Sequence, residues 1–212
     1  MIENIHWLGH DSFRIDAGGV VIYTDPFRIK KPVRADLVLI THEHYDHCSP
    51  EDVEKIVDEK TVILAPPDCA QKFSKGKVKI VKPGGKLDVM GVEIEVVPAY
   101  NINKKFHPKQ NQWVGYIFTA GGKRIYMAGD TDHIPEMKEF RADIALLPVS
   151  GTYVMTAEEA ARAALDIRPE IAVPMHYGTI VGTEDDADRF AKKSLEGKVK
   201  TAILKNEGPA GK

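Results

Sequence analysis

From residue 41 to residue 47 the chain reads Thr-His-Glu-His-Tyr-Asp-His, so three of its eight histidines and two carboxylates fall within six residues. Imidazole and carboxylate are the side chains that zinc, iron and manganese accept. His42 and His44 are two apart, and on an extended backbone they point the same way. Asp46 and His47, past the bend, are free to face a second site. A solvated polar loop is the plain alternative, but it gives no reason for three histidines so close together.

The surrounding elements suit a reactive loop. Leu37-Val-Leu-Ile-Thr41 is a continuously apolar run, as expected of a strand buried on both faces. Ser49-Pro50-Glu51-Asp52 supplies an N-cap, a first-turn proline and early carboxylates, so a helix should run from there to about Asp58. Loops at the C-terminal ends of strands are where α/β proteins gather reactive groups. Upstream, His6–Leu8, Ser12–Ile15 and Val20–Thr24 read as strands, with Gly18-Gly19 as a hairpin turn. Thr61–Ala65 is a further strand, residues 68–73 a short helix, and Val78–Val81 and Val92–Val97 two more strands. The second half repeats the scheme. Trp113–Thr119 and Arg124–Ala128 form a hairpin, and Ile144–Pro148 is a strand. Thr156-Ala-Glu-Glu159 is a capping box opening a helix to about Ile167. Ile171–Met175, a helix over Thr183–Leu195 and a final strand over Val199–Leu204 follow, with Glu207–Lys212 as a loose tail. This alternation in two similar halves predicts an α/β fold in one domain, residues 1–212. It is an αββα sandwich of two facing mixed β-sheets with helices on the outer faces.

The His-rich run resembles the H-x-H-x-D-H signature of the metallo-β-lactamase superfamily, and other motifs of that family follow in order. Thr24-Asp25-Pro26 resembles its early aspartate, Ala128-Gly129-Asp130-Thr131 its bridging aspartate, and Pro174-Met175-His176-Tyr177-Gly178 its last histidine. Trp7-Leu-Gly-His10 and Gly178-Thr179 are similar to the L-ascorbate-6-phosphate lactonase-like branch. The resemblance implies two divalent metal ions, zinc first and manganese or iron as alternatives. It implies that His42 and His44 bind the first ion, that Asp46, His47 and His176 bind the second, and that Asp130 bridges. Asp25 would accept a hydrogen bond from a ligand histidine and fix its tautomer. Two such ions lower the pKa of a shared water toward about 7, which implies a metal-dependent hydrolase of ester-type bonds: lactone, carboxylic ester or phosphodiester.

One position departs from the family pattern. Where a third histidine for the first ion is usual, the chain has Ala99-Tyr100-Asn101. Either Asn101 coordinates, or His107 reaches in from the polar segment 101–112, or the first site is weakened; His107 is the favoured choice. That segment lacks periodicity, and a long loop inside a compact domain tends to be functional. Asp46 is also placed to orient the attacking water. Candidates for proton donor are His10, His133 and Tyr153. Cys48, Cys69 and His6 read as packing or surface residues. Lys104, Lys105 and Lys109 form a small cationic group able to attract an anionic substrate.

Composition narrows the rest. Over 212 residues the net charge is −2, with charged residues at 28% and hydrophobic residues at 43%, which offers no basic footprint for nucleic acid. Two cysteines make no disulfide framework, and neither a signal-like nor a membrane-spanning run is present, so a cytoplasmic protein acting on a small molecule is expected. Two other classes stay open. A degenerate site would leave a metal-binding or regulatory module without turnover, and an RNA-directed phosphodiesterase would show salt-sensitive RNA affinity.

Overall fold

The computed structural model describes residues 1–208. The chain opens as an antiparallel meander of β1 (Ile5–Gly9), β2 (Ser12–Ala17) and β3 (Val20–Thr24). Gly18 and Gly19 connect β2 to β3 at φ of 64° and 80°. A two-residue hairpin needs that left-handed backbone, and glycine adopts it without strain. The strands β4 (Leu37–Leu39), β5 (Val62–Ala65) and β6 (Lys77–Ile80) then add in parallel, with α1 (Pro50–Ile56) and α2 (Pro67–Ala70) between them.

The second sheet starts antiparallel, through β7 (Lys86–Val89), β8 (Val92–Pro98), β9 (Val114–Ala120) and β10 (Lys123–Met127). It continues parallel through β11 (Ile144–Pro148), α3 (Ala157–Ile167) and β12 (Ile171–Met175), and α4 (Glu184–Glu196) follows. Strand order is β1 to β6 in the first sheet and β12 to β7 in the second. The αββα expectation therefore holds.

Strand alternation explains the layering. In β4 and just beyond it, Leu37 and Leu39 enter the core between the sheets, while Val38 and Ile40 face Val53 and Ile56 of α1 on the outer side. Tyr116 of β9 spans the sandwich, its hydroxyl donating to the carbonyls of Ile40 (2.7 Å) and Leu64 (3.3 Å). Ser49 caps α1, and Thr156 closes a capping box with Glu159 on α3. Exposed Lys77 and Lys79 guard the edge strand β6 against pairing with another chain. Among the described residues no helix is long and apolar enough to cross a membrane.

Several sequence expectations need correction. β7 has no counterpart in the sequence reading, because the polar–apolar alternation of Lys-Leu-Asp-Val lasts only four residues. α2 spans Pro67–Ala70, not residues 68–73. The segment Val199–Leu204 forms no strand, only a single bridge between Ala172 and Thr201. Ala172 donates outward from β12 to the Lys200 carbonyl (2.8 Å). Two residues on, the same side of the strand presents Pro174, which has no N–H, so the ladder stops. The chain then crosses to β1, where Glu207 N–H donates to the Trp7 carbonyl (2.8 Å). The start of the expected loose tail is thus tied down, and residues 209–212 lie outside the described residues.

Candidate metal centre

All the motif residues leave strands at one edge of the sandwich. His10 follows β1, Asp25 follows β3, the His42–His47 run follows β4, Asp130 follows β10 and His176 follows β12. Three of these sit in the left-handed region although none is glycine: His10 (φ 52°), Asp25 (φ 35°) and His176 (φ 60°). Such backbone costs about 1–3 kcal/mol per residue and persists where surrounding structure enforces it. Gly129 (φ 63°) turns the chain into Asp130, and a Cβ there would lie 3.0 Å from Thr41.

Two groups of donors converge, and Asp130 faces both. In the first, His42 Nε2 lies 2.9 Å from His44 Nδ1, which lies 3.2 Å from His107 Nε2. Asp130 Oδ2 approaches His107 Nε2 at 3.1 Å and His42 Nε2 at 3.9 Å. In the second, Asp130 Oδ1 lies 3.4 Å from His47 Nε2, and Oδ2 lies 3.2 Å from His176 Nε2. Asp46 Oδ2 lies 3.8 Å from His47 Nε2. Ligand atoms of a tetrahedral zinc are separated by about 3.3 Å, given zinc–nitrogen bonds of about 2.0–2.1 Å. The observed separations bracket that value. His47 Nε2 and Asp130 Oδ1 are buried with no hydrogen-bond partner, as donors awaiting a cation should be.

Outer partners fix which nitrogen points inward. Asp25 accepts from His47 Nδ1 (2.8 Å), which turns Nε2 toward Asp130. Thr41 donates its hydroxyl to Asp25 (2.5 Å) and so accepts from His42 Nδ1 (3.0 Å). Ser150 Oγ meets His176 Nδ1 at 2.9 Å. Trp113 walls the first group, its ring 5.0 Å from those of His42 and His44, and anchors through Nε1 to Asp68 (2.6 Å).

The choice left open between Asn101 and His107 has a geometric answer. Asn101 Nδ2 donates to Asp132 (3.1 Å) and to the Tyr153 carbonyl (2.9 Å), so its oxygen faces His107. That oxygen accepts from His107 N–H (3.0 Å) and Nδ1 (3.1 Å). His107 Nε2 is thereby turned into the first group, and Asn101 stands behind it. Asp132 gathers the loop further, accepting from Ile102 N–H (2.8 Å) and Lys104 Nζ (2.5 Å).

Charge follows burial and neighbours. Burial pushes His42 well below the usual imidazole range, and it lowers His44 too. Burial likewise brings His10 down to about 4. Burial also acts against a charged His47, yet Asp130, Asp25 and Asp11 hold it well above that range. Burial would raise Asp46, but the His10 hydrogen bond and the His47 charge bring it down to about 2. Asp130 is held low by His176 and His47 in spite of its burial.

The remaining candidates separate. His10 joins the second group, its Nε2 3.0 Å from Asp46 and its ring 4.1 Å from that of His176. His133 does not join either group: its Nε2 meets half-buried Asp166 of α3 at 2.8 Å. His133 stands three residues past Asp130, but its side chain turns to α3 and not to the cluster. Tyr153 packs edge-on against exposed Phe106. Lys104 is paired with Asp132 and Lys109 with Glu136 (3.0 Å), so these cations serve the loop itself. Asp11, Thr41, Asp132 and Ser150 were not anticipated. Asp11, Thr41 and Asp132 adjoin motif residues, whereas Ser150 carries no sequence signal.

Comparison with known proteins shows the family of the chain. Residues 4–176 match the family model described as a beta-lactamase superfamily domain. A UPF0173 metal-dependent hydrolase from Methanopyrus kandleri is 32% identical, over 91% of each chain. Another from Pyrococcus abyssi is 34% identical, over 95% of this chain and 96% of that one. Among solved structures, one from Parabacteroides distasonis superposes with a TM-score of 0.83 at 35% identity, covering 94% of this chain and 91% of that one. A metallo hydrolase from the archaeon Ignicoccus hospitalis gives 0.77 at 28% identity, covering 97% and 95%.

Proposed function

Since this chain belongs to the metallo-β-lactamase superfamily and is one of its metal-dependent hydrolases, we propose that it holds two divalent cations, zinc first, and cleaves an ester-type bond in a small substrate. The observation that carries this reading is a charge imbalance. Four carboxylates, Asp11, Asp25, Asp46 and Asp130, surround the buried histidines, and among the described residues no lysine or arginine pairs with any of them. Asp11, Asp25 and Asp130 are buried, burial raises the first two, and ionising all of them together requires positive charge beside them. Two divalent ions would supply it.

His42, His44 and His107 would hold one ion, Asp46, His47 and His176 the other, with Asp130 between them. When bound, such ions lower the pKa of water and polarise the oxygen of the scissile bond. The chain's own residues do the rest. Asp25, Thr41 and Asn101 keep three imidazole tautomers with Nε2 inward. Trp113 and the buried rings keep bulk water from the back of the site. His10 holds Asp46 in place as a buried neutral imidazole. Exposed Tyr45 and Phe106 flank ligand residues and offer contact to an apolar part of a substrate. Convergence of four imidazoles, those of His42, His47, His107 and His176, on Asp130 supports a working centre over a degenerate one.

The test joins elemental analysis with a panel of a lactone, an aryl carboxylic ester and an aryl phosphodiester. Two ions per chain, with hydrolysis of one class abolished by chelator and restored by Zn2+, is the expected result. Binding of a single ion under saturating Zn2+ would sink the dinuclear part. Inertness toward all three classes in the fully loaded protein would sink the ester-cleaving part.

A further inference from the structure

Asp11 has no place in the chemistry described so far, yet it is among the most thoroughly enclosed side chains of the protein. It is fully buried, and neither carboxylate oxygen has a hydrogen-bond partner. Its Oδ2 lies 3.8 Å from His47 Nδ1, the nitrogen that Asp25 already holds at 2.8 Å. Ligand atoms of Asp11, His47 and Asp130 all fall within 4.8 Å of one another. A buried polar group without partners costs about 1–3 kcal/mol, and more if charged. Simple packing does not call for such a group, since an apolar side chain after β1 would carry no such cost. Asp25 already orients His47, so a second orienting carboxylate is redundant. What Asp11 adds is a second buried carboxyl beside the His47–His176 side of the centre, one that burial pushes up to about 8.

We propose that Asp11 is a charge-supplying positioning residue for the cation on the His47–His176 side, a residue whose burial penalty is offset only when that cation is bound. The idea rests on the dinuclear reading above. It ties the cost of Asp11 in the empty site to the gain on loading, so Asp11 biases the protein toward the loaded state.

The test uses the full chain stripped with chelator, in wild type, Asp11→Asn and Asp11→Ser. Zn2+ is titrated in competition with a chromophoric chelator, and each protein is melted without and with saturating Zn2+. Partners just outside a metal's ligand shell are typically worth 10–100-fold in affinity. The expected result is at least a tenfold loss of affinity for one of the two ions in Asp11→Asn, with the other nearly unchanged. Its metal-free Tm should be equal to wild type or higher, while the rise in Tm on adding Zn2+ is smaller. Asp11→Ser should behave alike, which separates charge from side-chain shape. Wild-type affinity for both ions in both variants overturns the proposal. So does an equal drop in Tm with and without Zn2+, the mark of a merely structural residue. Wild type itself binding only one ion tells against the dinuclear reading, whereas the difference between wild type and variant judges Asp11.

Discussion

Replacing Asn101 by alanine separates a ligand from the residue that aims one. The substitution removes two acceptor contacts to His107, at 3.0 and 3.1 Å, and two donor contacts, to Asp132 at 3.1 Å and to the Tyr153 carbonyl at 2.9 Å. Asn101 and His107 are both buried, so the groups left behind lose their partners away from bulk water. Each unsatisfied buried group costs about 1–3 kcal/mol. The loop keeps other ties, among them Asn101 N–H to the His107 carbonyl at 2.7 Å and Ile102 N–H to Asp132 at 2.8 Å. A net loss of about 2–4 kcal/mol in unfolding free energy is therefore expected, rather than collapse of the fold. His107 would remain able to bind, but its tautomer and orientation would no longer be held, which should weaken one ion about 10–100-fold. At saturating Zn2+ the Asn101→Ala protein should still take up its full complement. His107→Ala deletes a nitrogen donor outright and should lose one ion even at saturation. Chelator competition gives the affinities, and elemental analysis gives the counts. The reasoning fails if Asn101→Ala loses an ion that His107→Ala retains, because Asn101 would then be the ligand. Unchanged affinity in Asn101→Ala would fail it too, because the orienting bond would then have no effect.

Metal affinity should fall as pH is lowered, because the raised pKa of His47 means that metal must displace a proton from it. Titration calorimetry in buffers of different ionisation enthalpy should show proton release near neutral pH, and no release would contradict the assignment. The same shift gives the metal-free protein stability that is fully present below about pH 6.5 and lost as pH rises through the folded value. The loaded protein should show the opposite trend, and melts across pH check both. Asp52→Ala should lower stability by about 2–4 kcal/mol with an unchanged denaturant m-value. Its carboxylate accepts from Arg28 N–H (2.7 Å), Ile29 N–H (2.8 Å), Ser49 and Lys55 and so pins the chain after Asp25 to α1. Burial opposes its ionisation, but Lys55 and these N–H groups hold its pKa below the usual value, so this stability is present above about pH 4 and lost as pH falls through the folded value. His133→Ala should leave metal content and turnover within about twofold of wild type, since its partner is half-buried Asp166 of α3 and not the cluster. A large loss of kcat in that variant would restore it as a proton donor.

Legibility in the sequence followed the range of each interaction. Residues 41 to 47 announced a metal site because alternation on an extended backbone is a local rule, valid before any tertiary contact forms. Ser49 and Thr156 announced helix starts for the same reason: a cap and its partner lie three residues apart. The buried strands β4 and β5 were plain from unbroken apolar runs, and an αββα arrangement followed from their alternation with helices. Tertiary structure alone decided the rest. Whether Asn101 or His107 reaches His44 depends on how residues 101 to 107 fold back on Asp132, some thirty positions away along the chain. His133 and His10 looked equivalent as donors, yet one side chain turns to α3 and the other to Asp46. The end of the chain read as a strand by composition, but the missing N–H of Pro174 on the neighbouring strand ended the ladder. Asp11 adjoins a motif residue, but nothing in its local pattern tells a buried carboxylate from a turn residue in water. Side-chain type and spacing determine which chemistry is available, while only three-dimensional proximity in a low-dielectric interior determines which groups must share charge.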